Sequence, residues 1–138
     1  MIVMVMDGQG GGIGAAIIKG LRNAISHEME ILALGTNSIA TSRMMKAGAN
    51  KGATGERAIM RTSSRVDVIV GPLAIVVPDA MMGELTPGMA SAVSTSEAKK
   101  ILVPLTQESI ELVGVTGEPL PHLVDQVVEI IKEMDSHV

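Results

Sequence analysis

The chain has 138 residues, with no cysteine, phenylalanine, tyrosine or tryptophan, and 11 basic against 15 acidic residues give a net charge of −4. These counts exclude a disulfide framework, a zinc–thiolate or iron–sulfur site, a thiol nucleophile, a tyrosine acid, an aromatic cage and a base-stacking platform. An acidic chain has no general pull toward nucleic acid or anionic membrane, so neither is an expected partner.

The length suits one domain covering residues 1–138. Hydrophobic residues make up 46% of it, so the core must be aliphatic, with 11 methionines contributing. The N-terminal run lacks the basic start and the length of a secretory signal, and no stretch approaches the roughly 20 apolar residues of a membrane helix. The expectation is a cytoplasmic protein.

Residues 2–6, Ile-Val-Met-Val-Met, form a short apolar run of the kind found in a strand buried on both faces. A glycine-rich turn follows at Gly8 to Gly14. Ile13, Ile17, Leu21, Ala24 and Ile25 then recur at helical spacing, with Lys19, Arg22 and Asn23 between them. Met29 to Leu34 reads as a second strand, closed by Gly35-Thr36-Asn37-Ser38, which offers a helix cap. A helix is predicted over 38–47, with Gly48 just past its end. Residues 49–56 read as a loop, and Thr54 as the cap of a short helix through Ser63.

Residues 66–70 are predicted as a strand ended by Gly71-Pro72, and 73–77 fit either strand or turn. Thr86-Pro87 reads as a cap and first residue of a helix to about Ser94. Ile101–Leu105 and Ile110–Val115 read as two strands with a gap too short for a helical crossover, which suggests an antiparallel hairpin over residues 101–115. Leu120, Leu123, Val124, Val127, Val128, Ile131 and Met134 form one stripe of a last helix. Strands alternating with helices give an α/β fold, a three-layer sandwich with a mostly parallel sheet.

In such sheets ligands bind beyond the carboxyl ends of the strands. The first such loop is Asp7-Gly8-Gln9-Gly10-Gly11-Gly12-Ile13-Gly14. Glycines let the backbone turn sharply and let a phosphate approach it, and the helix that follows offers free N–H groups and a favourable dipole. The competing reading is a close-packed turn that binds nothing. Asp7 is a like charge beside an anion; it either caps the turn or meets a hydroxyl, amine or metal ion. The other loops that should converge there carry Thr36 and Asn37, Gly71 and Pro72, and Thr106 and Gln107. Lys51 to Arg57 is a second glycine-bearing loop that suits either a phosphate or a plain capped turn, and Asp79 and Glu84, which flank Met81-Met82-Gly83, suit either a carboxylate pair for acid/base work or a magnesium ion, or plain surface charges. His27, His122 and His137 lack metal-ligand spacing, so no metal site is expected. The pairs Met44-Met45 and Met81-Met82 suit either core filling or a soft contact between copies in a homo-oligomer.

The spacing Gly8-x-x-x-Gly12-Ile13-Gly14 resembles the cofactor turn of short-chain dehydrogenases, with Asp7 where that family usually has threonine. The resemblance covers little beyond 35 residues, and that family's catalytic tyrosine has no counterpart here. The acid expected near the ribose after the second strand is also missing; Thr36 and Asn37 stand there.

A wider resemblance rests on the glycine turn with Ala33-Leu34-Gly35-Thr36-Asn37, Lys46-Ala47-Gly48-Ala49, Gly52-Ala53-Thr54-Gly55-Glu56, Gly83-Glu84-Leu85-Thr86-Pro87 and Ala98-Lys99-Lys100-Ile101-Leu102-Val103-Pro104-Leu105. Together these are similar to a family of short bacterial proteins, domain of unknown function 3842. That resemblance implies a bacterial protein with a Rossmann-like fold and names no catalytic residue. Besides a small lyase or transferase acting through Asp7, Asp79 or Glu84, two functions stay open. One is binding of a nucleotide, a dinucleotide included, or another phosphate-bearing small molecule on the glycine turn, with any catalysis undecided. The other is a non-catalytic oligomeric interaction module.

Overall fold

The computed structural model describes residues 1–25, 28–105 and 108–136. Five strands make one parallel sheet: β1 (Ile2–Asp7), β2 (Glu30–Gly35), β3 (Lys51–Thr54), β4 (Val68–Pro72) and β5 (Lys99–Val103). Their order across the sheet is β3-β2-β1-β4-β5. The helices are α1 (Gly12–Ala24), α2 (Ser38–Lys46), α3 (Glu56–Ser63), α4 (Pro87–Thr95) and α5 (Leu120–Ser136), with a 3₁₀ turn at Leu73–Val76.

Strand periodicity divides the core in two. Val3 and Val5 of β1 pack with Ile31, Val68, Val70 and Ile101 under Ile17, Ile18 and Leu21 of α1 and Leu123, Val127 and Ile131 of α5. Met4 and Met6 point the other way, to Ile59 of α3 and Met89 and Val93 of α4. Because both faces are covered, β1 has no polar alternation, as its sequence anticipates. The result is the expected three-layer, Rossmann-like α/β sandwich.

The caps follow the sequence reading at α2, where the Asn37 side chain accepts from Ala40 N at 2.8 Å, and at α4, where Thr86 accepts from Met89 N at 3.2 Å. Gly48 follows α2 with φ +124°, the left-handed conformation expected after a helix end.

Three expectations need correction. The segment read as a loop at 49–56 contains β3, which pairs Lys51 to Leu32 through Thr54 to Gly35. All four of its residues are exposed at the sheet edge, so no apolar pattern marks it. Gly55, not Thr54, sits at the α3 cap position. The antiparallel hairpin over 101–115 is absent: β5 runs parallel to β4, and no strand follows β5 among the described residues. Ile110, Leu112, Val113 and Val115 are exposed there. Their β-branched composition suits a strand, but no layer of the fold covers them, and strand preference is decided by such packing.

No helix among the described residues is long and apolar enough to cross a membrane.

Candidate functional site

The strand order reverses between β1 and β4, the point where open α/β sheets bind ligands. A cleft of about 590 Å³ lies there. The turn after β1 forms one wall, from Asp7 to Ile13. Pro72 at the end of β4 and Ala74 after it, Asp79, Met81 and Met82, and Leu105 and Glu108 after β5 complete it.

The glycines of the turn divide by role. A Cβ on Gly8 would fall within 3 Å of Thr36, Met81 and Glu84 side-chain atoms, and one on Gly14 would lie 2.5 Å from Met44 Sδ and 2.9 Å from Asp7 Cβ. Gly11 has φ +74°, and its Cβ would meet the Ala40 backbone at 2.8 Å. These three are glycine because protein packs against them. Gly10 and Gly12 are different: a Cβ on either would meet only the Arg43 guanidinium, at 3.9 Å and 3.5 Å. Among the described residues the N–H groups of Gly10 and Gly12 have no protein acceptor. Arg43 Nη1 donates to the Gly10 carbonyl at 3.4 Å, which brings a cation to the turn.

Asp7 is buried, and its carboxylate accepts from Gly8 N at 2.8 Å and Gly14 N at 2.7 Å. It therefore braces the turn and caps the first turn of α1. Burial pushes its carboxyl above the usual aspartate value; the backbone N–H groups of Gly14, Gly8 and Ile13 oppose that rise, and the charge of Glu84 adds to it.

Glu84 arrives from the loop before α4. Its Oε1 accepts from Gln9 N at 2.7 Å, from Asn37 Nδ2 at 2.5 Å and from Thr36 Oγ1. Asn37 Nδ2 also reaches the Gln9 carbonyl at 2.9 Å. Burial alone would raise the Glu84 carboxyl, but donation from Thr36, Gln9 and Asn37 outweighs it and holds the group below the usual value. The loop carrying it has left-handed backbone at Asp79, Met81, Met82 and Gly83. Three of those are not glycine, and such strain collects at ligand clamps and switch regions.

Asp7, Gly8, Gln9, Gly10, Gly11, Gly12, Ile13 and Pro72 thus line one cleft. Gly14 packs behind it on Met44, and Gly71 lies within β4, where a Cβ would meet the Met6 carbonyl at 2.4 Å. Thr36 and Asn37 are nearby but turned to Glu84. Thr106, Gln107, His27 and His137 lie outside the described residues. Asp79 and Glu84 do not act as a pair; Asp79 lines the cleft while Glu84 ties loops together. Lys51 to Arg57 forms β3 and the start of α3, away from the cleft. Sequence reasoning missed Arg43, Met81, Leu105 and Glu108. Arg43 reads as an ordinary exposed helix residue, and only the packing of α2 beside α1 brings it to the glycines. Among the described residues no group of three or more His, Asp or Glu is placed to hold a metal ion.

A glycine turn at the reversal point of a parallel sheet defines a Rossmann-like α/β protein with a cleft at the carboxyl ends of its strands. Within that class, the chain belongs to the family described as Domain of unknown function (DUF3842), whose model matches residues 2–136. No curated protein matches it. Among solved structures it is similar to a dodecameric FMN-dependent UbiX-like decarboxylase from Escherichia coli O157:H7, with a TM-score of 0.47 and 16% identity over 97% of this chain and 75% of that one.

Proposed function

We propose that the chain binds a nucleotide or another phosphate-bearing small molecule, its anion on Gly10 to Gly12 beside Arg43 and its organic part in the cleft. The observation that carries this reading is the pairing of two unobstructed glycines with a guanidinium beside the turn that walls that cleft. Backbone N–H groups at a helix start and an arginine fork are a recurrent way to hold a phosphate. Asp7 limits where the anion sits: it already takes the Gly14 N–H, so the ligand is confined to the outer edge of the turn.

No reaction is assigned. The chain has no tyrosine for dehydrogenase chemistry of the kind its glycine turn resembles. Thermal denaturation with a panel of nucleotides and sugar phosphates tests the reading. A bound ligand raises the melting temperature, and Arg43→Ala shrinks that rise while leaving the unliganded transition in place. A panel without any shift refutes it.

The exposed apolar run Ile110, Leu112, Val113 and Val115 favours a second reading, an oligomeric interaction module. Light scattering should then report an oligomer that Val113→Asp dissociates; a monomer removes this reading.

A further inference from the structure

In dinucleotide-binding sheets of this topology, one half of the ligand crosses the crevice between the loops after the first and second strands, where an acidic side chain takes the ribose hydroxyls. Here that crevice is occupied by the protein itself. Thr36 and Asn37 stand at the end of β2, and Asn37 is already bonded to the Gln9 carbonyl across the gap. Glu84 enters from above and accepts from Thr36, Asn37 and Gln9 N through one oxygen. The Met81 sulfur packs with it over Gly8. The carrier loop is closed on itself, with Asp79 N donating to the Leu85 carbonyl at 2.8 Å and Leu85 N to the Ala80 carbonyl at 3.1 Å. A further bond, from Met81 N to Glu108 Oε1 at 2.8 Å, fastens it to the far side of the cleft. No residue of the β2 loop lines the open cleft; beyond the glycine turn its walls are Pro72, Ala74, Leu105 and Glu108 on the β4–β5 side and Asp79, Met81 and Met82 of the loop before α4.

We infer that Glu84 and Met81 form a specificity plug that closes the β1–β2 crevice, so that the ligand is a single-phosphate compound whose organic part lies over β4 and β5. This rests on the phosphate reading above. The cleft volume, about 590 Å³, falls within the range of roughly 300–1,000 Å³ usual for small-molecule sites. Its walls describe the ligand further. Pro72, Ala74, Leu105 and the two methionines give it apolar contact without rings, while Asp79 favours hydroxyl or amino donors. A nucleoside monophosphate has these features; a dinucleotide has a second half that needs the plugged crevice.

The test is a competition between the two ligand classes on the full chain. Affinities for AMP and FMN are compared with those for NAD and FAD by isothermal titration, on the wild-type protein and on Glu84→Ala and Met81→Ala. The wild type should bind at least one monophosphate ten or more times tighter than either dinucleotide. Each variant should narrow that ratio at least threefold. Met81→Ala leaves the Glu84 hydrogen bonds in place, so it keeps the test valid if Glu84→Ala does not fold. Equal or tighter dinucleotide binding by the wild type, still weakened by Arg43→Ala, overturns the plug and leaves the phosphate reading standing. Absence of binding by both classes overturns the phosphate reading and the plug with it.

Discussion

Two carboxylates at one turn titrate in opposite directions. Glu84 is held below the usual glutamate value of about 4.5, so its hydrogen bonds support the fold above that pH and are lost as pH falls through its depressed value. Asp7 is raised above about 3.8 by burial, so its contribution is present in acid and lost as pH rises through its raised value. The two effects partly offset in global stability, and a local probe is needed to separate them. In hydrogen exchange the Gln9 amide, which donates to Glu84, should lose protection relative to its intrinsic rate as pH falls below 4.5, and Glu84→Gln should remove that dependence. A Gln9 amide that exchanges with the same protection at every pH contradicts the role given to Glu84.

The glycines are also separable at this scale. Gly11→Ala forces a left-handed alanine against the Ala40 backbone and should cost about 1–3 kcal/mol in chemical denaturation, whereas Gly12→Ala should stay within about 1 kcal/mol of wild type. The sequence shows that glycine is needed between Asp7 and Gly14. It does not show which glycines answer to packing and which stay open, because that depends on Met44, Ala40 and Arg43 of α2.

Among the elements, legibility follows burial. β1, β2 and α5 are plain in the sequence because a continuous apolar run or a complete stripe is demanded by what covers them. β3 is invisible because its edge position buries none of Lys51 to Thr54. The run 110–115 misleads for the opposite reason: it carries strand-forming residues that no layer covers. α1 and α5 approach closely at Gly20, where a Cβ would lie 2.4 Å from Val124 Cγ1. Ile131 of α5 is fully buried in the same layer. Ile131→Ala should therefore destabilise the protein by about 2–5 kcal/mol in urea unfolding. A loss under 1 kcal/mol would mean that α5 is not seated on the sheet.

At the scale of the whole molecule, an aliphatic core builds a parallel sheet as well as an aromatic one does. The absence of rings bears on ligand contact: any base in the cleft rests on Pro72, Ala74, Leu105 and methionine. The strand reversal between β1 and β4 creates the cleft, and α2 beside α1 brings the Arg43 cation to the glycine turn. The position of the cleft is legible from the first strand and its glycines; its limits are not, since Glu84 reaches the turn at Gln9 across a separation of 75 residues along the chain.

The most direct measurement is isothermal titration with a nucleoside monophosphate and the same nucleoside lacking phosphate, repeated on Gly12→Leu. A Cβ at position 12 meets only the Arg43 guanidinium, at 3.5 Å, so a leucine there should leave the fold standing while it fills the anion seat. The monophosphate should bind at least tenfold tighter than the nucleoside, a difference of about 1.4 kcal/mol, and Gly12→Leu should abolish the difference with an unchanged melting transition. Equal affinity for the two compounds, or a preference that Gly12→Leu leaves intact, would contradict the phosphate reading.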